Sequence, residues 1–109
     1  MVQLVFYNGE KEFTLDIPTN VRCAFTRNDS DDSVIIDQQG DNIDGTVYAL
    51  WKQIVDAHMN TLDITRITCL KDGAVCCQVD NIKAVRNQYS FSTGESNDVV
   101  SSISIYWQT

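Results

Sequence analysis

Three kinds of side chain in this sequence could do chemistry at neutral pH: four cysteines, one histidine and an uneven set of carboxylates. A nucleophile of the Cys–His kind needs the imidazole beside the thiolate, and His58 is the only histidine. It stands at the end of an apolar stripe, where a capping role near a helix C-terminus suits it. No phosphate loop, Gly-rich dinucleotide motif or Gly-x-Ser-x-Gly elbow accompanies it. The expectation is a protein that is not an enzyme, with no catalytic residue and no cofactor.

The cysteines are Cys23, Cys69, Cys76 and Cys77. Zinc sites need paired spacings such as Cys-x-x-Cys or His-x-x-x-His, and neither occurs. Cys76 and Cys77 are adjacent, so on a regular strand they point to opposite faces. If Asp72-Gly73 is a two-residue turn, Lys71 pairs with Ala74, Leu70 with Val75 and Cys69 with Cys76. A bridge between Cys69 and Cys76 would then be geometrically allowed. No secretion signal opens the chain, so reduced cysteines that fill a core as small apolar residues are expected.

The carboxylates are concentrated. Residues 27–45 hold six aspartates against one arginine and carry -5 of the net -7. Asp29, Asp31, Asp32, Asp37 and Asp41 are the candidate partner-binding residues of that segment. An EF-hand loop counted from Asp29 fits Asp31 at its third position but has Ser33 and Val34 at the fifth and sixth. Polar turns with capping carboxylates describe the segment more simply. It could keep the protein in solution, hold a cation, or meet a basic partner.

The elements that must position these groups read mostly as strands. Val2, Leu4 and Phe6 alternate with polar or outward positions up to Asn8-Gly9, and residues 10–17 follow. Asn-Gly between alternating runs predicts a hairpin with Tyr7 opposite Glu10, Leu4 opposite Phe13 and Val2 opposite Leu15. Val21, Cys23 and Phe25 mark a third strand, and residues 33–37 a short fourth. Asp44 can cap a helix over about residues 45–59, whose buried stripe would be Val47, Leu50, Trp51, Ile54 and Val55, with His58 following. Strands 64–71 and 74–79 flank Asp72-Gly73, and 81–91 and 98–108 flank a polar loop. The order ββββ-α-ββββ predicts one α+β domain over 1–109, an antiparallel β-sandwich or barrel of about eight strands with one central helix packed on it.

At 109 residues, with 43% hydrophobic and 21% charged residues, the chain has the composition of an average globular domain. No apolar run approaches the roughly 20 residues of a membrane span, so no membrane contact is expected. The net charge of -7 argues against direct nucleic-acid binding, which needs a basic face. Without a signal peptide the expected location is a cytosol.

Hairpins before and after one central helix, closing on residues 81–91 and Ser102-Ile103-Ser104-Ile105-Tyr106-Trp107, resemble the domain of bacteriophage tail tubes, tail terminators and baseplate hubs. The resemblance implies a ring-forming structural protein without cofactor, whose partners are copies of itself and other assembly proteins. It would be made in a host cytoplasm and end in the virion. An acidic lumen would let DNA pass without sticking. The rival expectation is a small acidic intracellular inhibitor. There Asp29, Asp31, Asp32, Asp37 and Asp41 stand in for phosphates in the basic groove of a nucleic-acid-binding protein.

Overall fold

A computed structural model describes residues 1–27, 31–94 and 98–108. In chain order the elements are β1 (Val2–Tyr7), β2 (Glu12–Ile17), β3 (Arg22–Arg27) and β4 (Asp32–Gln39), then a 3-10 turn (Gly40–Asn42) and α1 (Thr46–Asp56). There follow β5 (Arg66–Lys71), β6 (Ala74–Val79), β7 (Lys83–Thr93) and β8 (Val99–Gln108). The strands form two four-stranded sheets, ordered β2-β1-β5-β6 and β3-β4-β8-β7. Every pairing is antiparallel. Each sheet joins one hairpin from before the helix to one from after it, and neither closes into a barrel. The fold class is α+β, as the alternation of the sequence implies.

The first hairpin forms, but its register is two residues from the expected one. Tyr7 faces Glu12, Phe6 faces Phe13, Leu4 faces Leu15 and Val2 faces Ile17. The central turn pair is Gly9-Glu10, not Asn8-Gly9. Gly9 has φ +93° and Glu10 a negative φ, the sign pattern of a turn with glycine first. The Asn8 carboxamide explains the shift: its Oδ1 accepts from the Glu10 and Lys11 amides at 3.0 and 2.8 Å. A slip of two keeps every side chain on its face, so Leu4, Phe6, Leu15 and Ile17 are buried all the same.

The β5–β6 hairpin departs from its expected register for a different reason. Asp72 and Gly73 both have positive φ, 52° and 83°, and fix Lys71 opposite Ala74 and Leu70 opposite Val75. A regular ladder would continue with Cys69 opposite Cys76 and Ile67 opposite Gln78, placing an amide against the core. A bulge at Cys76 shifts the pairing by one, so Cys69 faces Cys77, Thr68 faces Gln78 and Ile67 faces Val79. Polar meets polar: Thr68 Oγ1 donates to Gln78 Oε1 at 2.9 Å. Val79 turns inward against the core, whereas Val75 is left 62% exposed.

A second bulge lies in β7, between Ala84 and Arg86. It sets the small Ala84 opposite Trp107 and expels Val85, which is 52% exposed. The indole of Trp107 fills the space instead and is 1% exposed, edge-on to Phe25 with ring centroids 6.4 Å apart. Val34, Ile36, Ile103 and Ile105 of one sheet join Leu4, Phe6, Leu15 and Ile67 of the other in a single core cluster.

The helix is shorter than expected at its C-terminal end. Its buried residues are Val47, Leu50 and Ile54; Trp51 is half-buried at the core margin, and Val55 is exposed. Residues 57–59 close it in another way. The His58 amide donates to Val55 O at 3.0 Å and the Met59 amide to Ile54 O at 2.9 Å. His58 itself sits at φ 58°. These are the paired bonds of a Schellman cap, with buried Met59 against buried Ile54 as its apolar contact. At the other end Gly45, at φ 86°, occupies the N-cap. The Asp44 carboxylate accepts from the Thr46 amide at 3.1 Å and its hydroxyl at 2.6 Å. No helix among the described residues is long and apolar enough to cross a membrane.

Candidate functional site

The acidic segment divides on folding. Asp32 opens β4 and is buried, with the Arg27 guanidinium Nε 3.5 Å from its Oδ2. Asp37 is also buried, on the β4 face turned away from Val34 and Ile36. It accepts Arg22 Nε on Oδ1 and Nη2 on Oδ2, both at 3.0 Å. Asp41 is exposed on the 3-10 turn, and Asp31 is half-buried just before β4. Asp29 lies outside the described residues. The five candidate aspartates therefore do not form one exposed row: two are matched to arginines of the neighbouring strand. Arg22 is absent from the acidic run in sequence, so counting charges along the chain could not anticipate its match to Asp37.

A cleft of about 270 Å³ opens beside this pair, lined by Asn20, Arg22, Asp37, Gln38, Gln39 and Asn42. Part of its polar wall is already bonded within the chain. Gln38 Nε2 donates to Asn20 O at 3.2 Å, and Gln38 Oε1 accepts the Asp44 amide at 3.4 Å. The cleft is thus a braced corner that joins β3, β4 and the start of α1.

The remaining chemistry-bearing residues stay apart from that corner. His58 is exposed and acts through its backbone in the helix cap. All four cysteines are free thiols. The Cys23 thiol is pushed up to about 12, chiefly by burial and further by Cys69 and Asp37. Among the described residues no three His, Cys, Asp or Glu side chains are arranged to hold a metal ion.

Among the described residues the two sheets leave four edge strands, β2, β6, β3 and β7, and β7 is the longest of them. β7 is 11 residues long and borders its sheet, with β8 as its one strand partner among the described residues. Its inner face is fastened down: Asn87 Nδ2 donates to Met59 O and Thr61 O at 2.9 and 3.1 Å, and Tyr89 packs edge-on against Tyr48 of α1 at 5.5 Å. Along residues 86–93 the ladder to β8 runs without a register shift. Val85 and Phe91 stand 52% and 56% exposed toward its two ends. The Arg86 guanidinium lies 5.0 Å from the Tyr106 ring centre, which orients a cation on the outer face. A long edge of unpaired backbone groups with apolar side chains beside it is a template for another strand. Sequence alternation marked β7 as a strand, but its edge position follows only from the sheet order. Comparison with family models, with curated proteins and with solved structures yields no match to this chain.

Proposed function

We propose that the protein is a non-catalytic assembly module that joins neighbouring subunits through the open edge of β7. The observation that supports this reading most is the eleven-residue edge strand with Val85 and Phe91 exposed and its inner face pinned by Asn87 and Tyr89. Natural sheets blunt such edges with charge, proline or brevity. Within β7 there is no proline, and its cations Lys83 and Arg86 crowd one end. Residues 87–93 are uncharged and fit a second strand. In this reading the two sheets form a sandwich around the shared core, and addition of a strand extends the β3-β4-β8-β7 sheet across a subunit boundary. Where β7 takes a different edge of the next copy, the contact repeats around a ring or along a stack, the kind of assembly that the resemblance to tail-type structural proteins implies; β7 paired with β7 stops at a dimer.

The acidic-inhibitor reading draws less support from the geometry. Asp32 and Asp37 already have arginine partners within the chain, so only part of the acidic segment is free to imitate phosphates. The two readings separate in solution. Light scattering over a concentration series should show mass rising above that of one chain as edges pair. A chain that stays monomeric to millimolar concentration and captures a basic nucleic-acid-binding protein would replace the assembly reading with the inhibitor.

A further inference from the structure

The four thiols come from three strands, and folding draws them toward one another. Cys23 of β3 and Cys69 of β5 belong to different sheets, yet both pack against the core cluster. Beyond burial, the charge of Cys69 helps to raise the Cys23 thiol. Cys69 in turn feels Cys76 and Cys77 across the hairpin. Of these contacts one is a direct ladder pairing, that of Cys69 with Cys77. Residues directly opposite in an antiparallel ladder have Cα atoms about 4.5 or 5.5 Å apart, and both separations fall within the span of a disulfide. The pairing exists only because of the bulge at Cys76.

We propose that Cys69 and Cys77 form an oxidisable dithiol on the β5–β6 hairpin, which a low-molecular-mass disulfide converts into a cross-strand bridge. The Cys77 thiolate attacks one sulfur of the small disulfide, forming a mixed disulfide and expelling one small thiolate. Cys69 then gives up its proton, and its thiolate attacks the Cys77 sulfur and expels the second small thiolate. The two protons released by the cysteines end on the two small thiols. Two electrons pass from the protein to the oxidant.

The environment assigns the roles. Cys23 is a poor participant: with its thiol pushed up to about 12 by burial, then by Cys69 and Asp37, roughly 1 molecule in 10⁵ carries the thiolate at pH 7. Burial also raises Cys69, with Cys76 and Cys77 adding to it, so Cys69 is the weaker first attacker. Its step as resolving thiol is intramolecular, where proximity compensates for low ionisation. Cys76 is exposed and occupies the bulge, and its Sγ donates to Ala74 O at 3.8 Å. It has no ladder partner. A bridge from Cys69 to Cys77 would span the bulge and tie β6, an edge strand that among the described residues pairs with β5 only, into its sheet.

The test uses the full chain, reduced and then exposed to glutathione disulfide, with thiol titration and peptide mapping by mass spectrometry. The expected result is a fall from four free thiols to two, in a monomer lighter by two hydrogens, with the bridge mapped to Cys69 and Cys77. Cys76→Ser should form the same bridge, and Cys69→Ser and Cys77→Ser should stop without it, each variant being verified as folded by circular dichroism. The bridge should also form at least about tenfold faster in the native chain than in urea, since only the folded register aligns the pair. A bridge mapped to Cys76, no internal bridge, or equal rates in native and unfolded chain would each overturn the proposal.

Discussion

Arg22 grips Asp37 with both ends of its fork, Nε on Oδ1 and Nη2 on Oδ2 at 3.0 Å, although the arginine side chain is 63% exposed and the aspartate 5%. The two residues face each other across the β3–β4 ladder. Two parallel charge-assisted bonds fix a planar geometry that a lysine could not reproduce. The asymmetry in exposure decides the effect of a mutation, because water can replace the partner of Arg22 far better than that of Asp37.

Removing the arginine leaves a buried carboxylate without its donor. Arg22→Met should therefore destabilise the protein by about 1–2 kcal/mol, a figure already reduced for the solvent around the guanidinium. Arg22→Lys should recover only part of the loss. Urea midpoints for the three proteins provide the measurement. A midpoint for Arg22→Met equal to wild type would mean that the pair adds nothing to stability.

His58 holds a left-handed backbone conformation that glycine adopts without a Cβ clash, and it does so in a Schellman cap where glycine is the usual residue. His58→Gly should thus raise stability, by about 0.5–1 kcal/mol, in a position where most substitutions lower it. A lowered melting temperature would show that the imidazole has a role beyond the cap.

The core places two helix residues on different footing. Ile54 is fully buried and Trp51 only half-buried, although the heptad-like stripe ranks them together. Ile54→Ala should cost about 2–5 kcal/mol. Trp51→Ala should cost less than the roughly 3–5 kcal/mol expected of a fully buried aromatic. Thermal melts of both variants check the order, and a larger loss at Trp51 would reverse it.

Much of the fold could be read before the structure because binary pattern and turn chemistry agree on faces. The alternation of Val2, Leu4 and Phe6 assigns an inner face that survives a register error of two, which is why the Asn8 carboxamide could move the turn without disturbing the core. The bulges were not legible in the same way. At Cys76 the turn at Asp72-Gly73 demands one register, whereas Val79 and Gln78 demand another. An inserted residue reconciles the two, but turn chemistry alone predicts the regular register with Cys69 opposite Cys76. At Val85 the cause is the volume of Trp107, contributed from a strand more than 20 residues away. The site was less legible still. The acidic run is plain in sequence, but its pairing with Arg22 and the edge position of β7 depend on which strands become neighbours.

Acid should loosen the start of α1. The Asp44 carboxyl is held below the usual aspartate range, chiefly by its hydrogen bonds from the Thr46 hydroxyl and amide. A group whose folded-state acidity is strengthened adds stability that is present in full above its unfolded pKa, about 3.9. That contribution disappears as pH falls through the lower folded value. Asp44→Asn keeps an acceptor without the titration, so it should flatten the loss of helical signal below about pH 4. Identical acid profiles for the two proteins would remove Asp44 from the account.

The open edge of β7 makes the most specific claim on function. If subunits join there, new backbone hydrogen bonds form along residues 87–93, and Val85 and Phe91 leave water at the two ends of the contact. Both side chains are exposed in the single chain, so replacing them should change folding stability by no more than about 0.5 kcal/mol. A charge at each position would have to be desolvated on pairing, which is how natural edge strands are kept single. The double variant Val85→Lys and Phe91→Lys should therefore keep the melting temperature of the parent and lose its concentration-dependent scattering. A pair of exposed substitutions outside every edge strand, Thr19→Lys and Gln53→Lys, adds the same charge and should leave assembly in place if the β7 edge is the contact. Equal loss of assembly in both variants would point to net charge as the cause. Undiminished assembly in the β7 variant would place the contact on another edge, with β2, β3 and β6 as the strands that remain.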